Sequence, residues 1–262
     1  MRYLRGCAPL AAALMLGLTG PATATADPDA LWRIVHDGCV VDETQHHDPA
    51  PCSRVDLTGG ESAGYVVFKD QVGERQYLVM PTARIAGMES PELLDPGTTN
   101  YFAAAWQARA FVEQRAGGTI PRDWMSLAVN SAASRTQNQL HIHLDCLRAD
   151  VHDALRSVAG AIGPVWAPVG VPLSGRSYWA IAVDGPDLVA NPFIVLADGL
   201  PGARTEMGLY TLVVVGTTAA DGRPGFVILA DRADAAGGAA GEELQDHDTC
   251  PAPVPPTPAT AK

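Results

Sequence analysis

The clearest periodic signal in the chain is the strict alternation of QLHIHLDC, residues 139–146. Successive side chains on a strand point to opposite faces. Leu140, Ile142, Leu144 and Cys146 therefore share one face, expected to be buried, and Gln139, His141, His143 and Asp145 share the other. Six further stretches carry strand signals. GYVVFK (64–69) and QYLVM (76–80), parted by Gly73-Glu74 and ended by Pro81, predict an antiparallel hairpin. WMSLAV (124–129) runs into Asn130 and predicts a hairpin with the histidine strand through a long polar loop. SYWAIAV (177–183), YTLVVV (210–215) and GFVILA (225–230) predict three more strands in the last third of the chain.

Helical spacing marks three segments. Leu31, Ile34 and Val35 predict a helix over 29–41. Phe102, Ala105, Trp106, Ala110, Phe111 and Val112 predict one over 99–116, stopped by Gly117-Gly118, with Arg109 and Arg115 as surface charges. Val151, Leu155, Val158 and Ile162 predict a third over 150–162, with His152 on its surface. Shorter helices are expected at 191–197 and 242–248, and loop at 42–60 and 163–175. Residues 233–241 predict a flexible Ala/Gly segment, and the proline-rich stretch 251–262 a disordered tail. The elements sum to an α+β fold, an antiparallel sheet with packed helices and an additional C-terminal α+β portion.

The first 26 residues predict a targeting segment. Arg2 and Arg5 precede an apolar run, 9–18, which is too short to span a bilayer comfortably, and Ala24-Thr25-Ala26 fits a cleavage site. The segment is read as a signal peptide, or else an N-terminal anchor, and the protein as exported: periplasmic, cell-envelope or secreted. A single domain over 27–250 follows. The net charge is −11; without residues 1–26 only Arg2 and Arg5 are lost, leaving 16 basic against 29 acidic residues. That acidity argues against nucleic-acid binding and against a broad electrostatic grip on anionic lipid. Four cysteines lie past residue 26: Cys39, Cys52, Cys146 and Cys250. An even count in an exported chain reads as two disulfides with three possible connectivities, of which Cys39–Cys52 with Cys146–Cys250 is favoured. No C-x-x-C pair is present, and neither metal nor cofactor is expected.

Two imidazoles, a carboxamide and a carboxylate in one row are costly unless satisfied, and they make sense as a site. A neutral imidazole can attack phosphorus while its neighbour fixes a tautomer or holds phosphate oxygens. The loop 130–139, with Asn130, Arg135, Gln137, Asn138 and Gln139, can wrap an anion with amides, hydroxyls and one guanidinium. Two rival readings stand beside phosphoryl chemistry. H-x-H with Asp145 also offers legs of a metal site; alternatively these are satisfied histidines on a half-buried strand.

HIHLD resembles the histidine-triad pattern of three histidines alternating with apolar residues. More specifically the chain resembles the CDP-diacylglycerol pyrophosphatases, a histidine-triad-like branch. The resemblance rests on an ordered set: LWRIVHDGCV, HDPAPC, GYVVFKD, QYLVMPTARIAGMESPELLDP, WQAR, SLAVNS, RTQNQLHIHLDCLRADV and QDHDTC. It implies a histidine-triad-like fold and an enzyme cleaving CDP-diacylglycerol to CMP and phosphatidate. It implies His143 as nucleophile, His141 as its support, and Asn130, Gln137, Asn138 and Gln139 as contacts to nucleotide or phosphate. The departures are Asp145 in place of the third histidine, and Gln76 and Arg84 where triad proteins carry histidines upstream. Asp145 is a candidate for steering the leaving oxygen or orienting His143, and Arg84 and Arg135 are candidate phosphate clamps. The implied partner is a lipid-nucleotide substrate met at a membrane surface, with the apolar C-terminal unit as a candidate groove for its acyl chains. The missing third histidine leaves a secreted nucleotide- or lipid-binding module with decayed catalysis as the alternative.

Overall fold

The computed structural model describes residues 27–235 and 237–254. Residues 1–26, on which the targeting-segment expectation falls, and residues 255–262 of the expected tail lie outside them. Ten strands form one sheet, ordered β1-β2-β3-β5-β4-β8-β9-β7-β6, with β10 pairing β5, and every pairing is antiparallel. The strands are β1 (Arg54–Asp56), β2 (Tyr65–Lys69), β3 (Tyr77–Pro81), β4 (Met125–Val129), β5 (Ile142–Leu147), β6 (Ala167–Pro168), β7 (Trp179–Asp184), β8 (Tyr210–Thr218), β9 (Pro224–Arg232) and β10 (Gln245–Asp246). The predicted α+β class holds, and the C-terminal strands continue the same sheet.

The two faces of this sheet explain where a site can exist. On one face Ile142, Leu144 and Cys146 of β5 join Val79, Leu127, Val214 and Ile228 in the main core. Helix α3 (Tyr101–Ala116) lies over it, burying Tyr101, Phe102, Ala105, Trp106, Ala108 and Val112. Asn100 caps α3 by accepting from Ala103 N, and Gly117 ends it at φ 79°, a left-handed position that glycine takes without penalty. Ala110 is exposed, off the predicted apolar face. Arg109 is half-buried, with its guanidinium 4.6 Å from the Trp106 ring, while Arg115 is exposed as expected. Helix α5 (Pro192–Gly199) adds Phe193 and Leu196 to the same core.

The other face carries a transverse row, Leu78–His143–Ala128–Val213–Leu229–Ala180, one residue from each of β3, β5, β4, β8, β9 and β7. His143 is the one polar member. At one end, helix α1 (Ala30–Arg33) passes through a π-helical turn (Ile34–Cys39) into α2 (Val40–His46), and its Val35, Cys39 and Val40 cover Leu78, Val66 and Met80. At the other end, α4 (Ala149–Val158) lays Val151 and Leu155 over Ala128, Val213 and Leu229. Between these two covers the row is left to polar side chains.

Several expectations are corrected here. Loop was expected over 42–60, where α2 and β1 form. His152 is buried, stacked on Trp124 at 3.8 Å, with Nε2 3.1 Å from Asp123 Oδ2. Residues 242–248 hold a 3-10 turn (Gly241–Leu244) followed by β10 rather than a helix, and Val254 of the tail pairs with Thr119. Both favoured disulfides form: Cys39–Cys52 ties the N-terminal helix to the segment before β1, and Cys146–Cys250 ties β5 to the C-terminal segment. Two disulfides suggest an exported protein. Among the described residues no helix is long and apolar enough to cross a membrane.

Candidate active site

The gap between the two covers is a cavity of about 810 Å³. Gln76, His141, His143, Glu242, Gln245 and His247 are at its polar side, with Asp70, Glu243 and Arg148 around them. Its apolar side is Ala30, Leu31 and Ile34 of the N-terminal helix with Phe68, Val72 and Leu78.

His141 and His143 face it from β5 and the residue before it, with ring centroids 4.8 Å apart and edge to face. Burial drives both pKa values down, His143 well below the usual imidazole range with help from the charges of His141 and His247. Burial therefore favours the neutral form of both rings. His141 donates from Nδ1 to the Gln139 carbonyl at 2.6 Å, which leaves Nε2 as its basic nitrogen. His143 has Nδ1 2.7 Å from the Gln76 side-chain nitrogen. Its Nε2 is buried without a hydrogen bond, although Glu242 Oε2 lies 3.3 Å away. The distance suits an ion pair, but the approach angle makes no hydrogen bond, so the carboxylate covers the nitrogen without engaging it.

Glu242 is itself held. Its Oε1 accepts from Asn130 Nδ2 at 2.8 Å, and its backbone N donates to Asn130 Oδ1. Gln245 donates to the His143 carbonyl and to Ser126, fixing β10 against β5. Asp145 is almost fully buried and is not in the cavity wall. One oxygen accepts from Cys146 N, and the other lies 3.1 Å from His247 Nδ1. Burial raises the Asp145 pKa and the His247 bond opposes that rise, while the same bond lifts His247 above the ordinary imidazole value.

The expected loop contacts are mostly spent elsewhere. Thr136 and Gln137 line the cavity. Gln137 also ties down the N-terminus, accepting from Leu31 N and donating to the Asp27 carbonyl. Gln139 is buried, donating to the Pro81 and Ala83 carbonyls, and Asn138 is exposed. Arg135 makes a two-pronged ion pair with Glu89, and Arg84 pairs with Asp29 over Trp32; neither guanidinium lines the cavity. Arg148 does line it, paired with Asp150 at 3.0 Å. The apolar wall beside the histidines comes from the N-terminal helix, β2 with the turn after it, and β3, rather than from the C-terminal unit.

Sequence reading missed Glu242, Gln245 and His247. QDHDTC did carry Gln245 and His247, but only as part of a resemblance.

A buried imidazole anchored at one nitrogen, beside a cavity with one polar and one apolar side, is chemically able to attack an electrophilic centre of an amphipathic molecule. The comparisons agree in class. The model of the CDP-diacylglycerol pyrophosphatase family matches residues 26–252, and the chain belongs to that family. It is 41% identical over 225 residues to a CDP-diacylglycerol pyrophosphatase of Yersinia pestis, covering 85% of this chain and 84% of that one.

Proposed function

We propose that this chain is a hydrolase that cleaves the pyrophosphate of CDP-diacylglycerol to CMP and phosphatidate, and that His143 Nε2 is the nucleophile. The family supports the overall reaction. The observation that carries the mechanism is the His143 ring itself: buried, which favours its neutral form, held at Nδ1 by Gln76, with Nε2 unbonded. For Nε2 to attack, the ring proton must sit on Nδ1. Gln76 Oε1 is buried without a partner, and turning the carboxamide end for end offers it to Nδ1–H. Nε2 then has its lone pair free.

Attack on the cytidylyl phosphorus forms a P–N bond and breaks the bond to the bridging oxygen, which leaves with phosphatidate. Water then attacks the same phosphorus, the P–N bond breaks, and CMP departs. Glu242 must swing from His143 before an anionic phosphate can take its place. The diacylglycerol lies along Leu31, Ile34, Phe68, Val72 and Leu78, and exposed Val72 brings this wall to the surface, where a membrane presents the lipid. The test is a CMP-release assay with isolation of the enzyme mid-turnover. A cytidylyl adduct on His143, absent with loss of turnover in His143→Ala, supports the reading; undiminished turnover in that variant overturns it.

A further inference from the structure

Asp145 looks like the end of the catalytic row, but its carboxylate faces a partner that the strand pattern does not contain. β10 pairs antiparallel with β5, Gln245 opposite Leu147 and Asp246 opposite Cys146. The same register sets His247 opposite Asp145, and the pair closes at 3.1 Å between Nδ1 and Oδ2. With Nδ1 on the carboxylate, Nε2 is the nitrogen His247 can present to the cavity it lines.

The backbone around His247 is fixed on three sides. Glu74 N donates to its carbonyl. Gly73, at φ 69°, lies so close that a Cβ there would sit 2.6 Å from that carbonyl oxygen. Cys250, three residues on, is bonded to Cys146. So an imidazole 102 residues along the chain from Asp145 is held in the wall of the cavity that His141 and His143 also line.

We propose that His247 is a further catalytic residue, an acid–base group anchored by Asp145. In the first step His247 Nε2–H gives its proton to the bridging oxygen as the P–O bond breaks and that oxygen takes the electron pair. In the second, the now neutral Nε2 takes a proton from the attacking water as the P–N bond breaks and His143 Nε2 recovers its lone pair. The protons balance over the cycle, and one water is consumed. This assignment rests on the His143 reading above for its second step only.

The charge around the ring suits the role. Asp145 from β5, Glu242 from the 3-10 turn, Asp70 from the end of β2 and Asp246 from β10 favour the cation, and neutral His143 faces it. Lys69 is nearby, with its ammonium on the Asp70 and Gly73 carbonyls. The Asp145 bond is the largest influence, and it raises the His247 pKa, so a protonated fraction persists at neutral pH.

The test compares wild type with His247→Asn on two substrates, CDP-diacylglycerol and the 4-nitrophenyl ester of CMP, whose leaving group departs without a proton. For CDP-diacylglycerol, kcat falls ~100-fold or more, the usual scale of acid–base catalysis. KM changes little, and the alkaline fall in the wild-type pH profile disappears. On the nitrophenyl ester the variant still gives a stoichiometric burst of nitrophenolate, and cytidylyl-enzyme accumulates because its hydrolysis lacks the base. The burst also reports an intact site. Asp145→Asn provides a second measurement: the alkaline limb moves to lower pH while activity survives below it. Wild-type kcat with an unchanged pH profile in His247→Asn overturns the proposal. If no protein shows a burst, the covalent reading fails, and loss of the alkaline limb in His247→Asn still upholds proton donation to the leaving oxygen.

Discussion

Gln76 sets its side-chain nitrogen 2.7 Å from Nδ1 of His143, between β3 and β5, with both side chains buried. One amide thus controls which nitrogen of the central imidazole carries the proton, because its two ends demand opposite tautomers.

Gln76→Glu replaces that amide with an anion. A carboxylate at Nδ1 stabilises the imidazolium and raises the His143 pKa, which burial otherwise holds well below its ordinary 6.5. Wild-type activity therefore persists as pH falls below 6.5, and the variant loses activity at higher pH than wild type does. The acid limb of kcat/KM measures this. Gln76→Ala leaves the ring without its orienting partner and lowers kcat by ~10–100-fold, the scale of a lost supporting contact.

Glu242 covers His143 Nε2 with a carboxylate, and in the proposed mechanism phosphate must displace it. Glu242→Gln removes that repulsion while keeping the bond to Asn130. Calorimetric titration with CDP is expected to show ~10-fold tighter binding, about 1.4 kcal/mol. Weaker binding would mean that the carboxylate assists the phosphate instead.

The Cys146–Cys250 bond closes a segment of 104 residues and keeps the His247 region on β5. Cys250→Ser is expected to lower stability by up to about 4–5 kcal/mol on chain-entropy grounds. It is also expected to lower CDP-diacylglycerol turnover more than CDP binding, since the pairing of β5 with β3 and β4 holds Gln76, His141 and His143 in place without the C-terminal segment. Denaturant melts and paired activity and binding assays check both.

Leu31 and Ile34 face the cavity from the N-terminal helix. Ile34→Asp puts a charge on the wall proposed to take the acyl chains. KM for long-chain CDP-diacylglycerol is expected to rise at least ~10-fold, while the constant for an acyl-free CDP ester is unchanged. Equal effects on both substrates would remove the lipid from this wall.

The strand alternation made the histidine row legible, because Leu140, Ile142, Leu144 and Cys146 mark a buried face and the register of β5 follows. It did not tell that the opposite face is covered at both ends, since that depends on where α1, α2 and α4 lie. The ion pairs of Arg84 with Asp29 and of Arg135 with Glu89 were not legible because the partners are distant in sequence. His152 carried a surface reading because helical spacing alone does not reveal Trp124 stacking on it. Asp145 looked like a depleted catalytic position because its partner, His247, arrives on a strand far along the chain. Local periodicity identified the elements; side chains satisfied by long-range pairing stayed hidden.

The central claim is a bond between His143 and the cytidylyl phosphorus, and its most direct test is stereochemical. CDP-diacylglycerol carrying one sulfur of defined configuration on that phosphorus is hydrolysed in isotopically labelled water, and the configuration of the resulting thio-CMP is read. Two displacements at one phosphorus, first by His143 and then by water, predict net retention. Inversion would mean a single direct attack by water and would contradict the account.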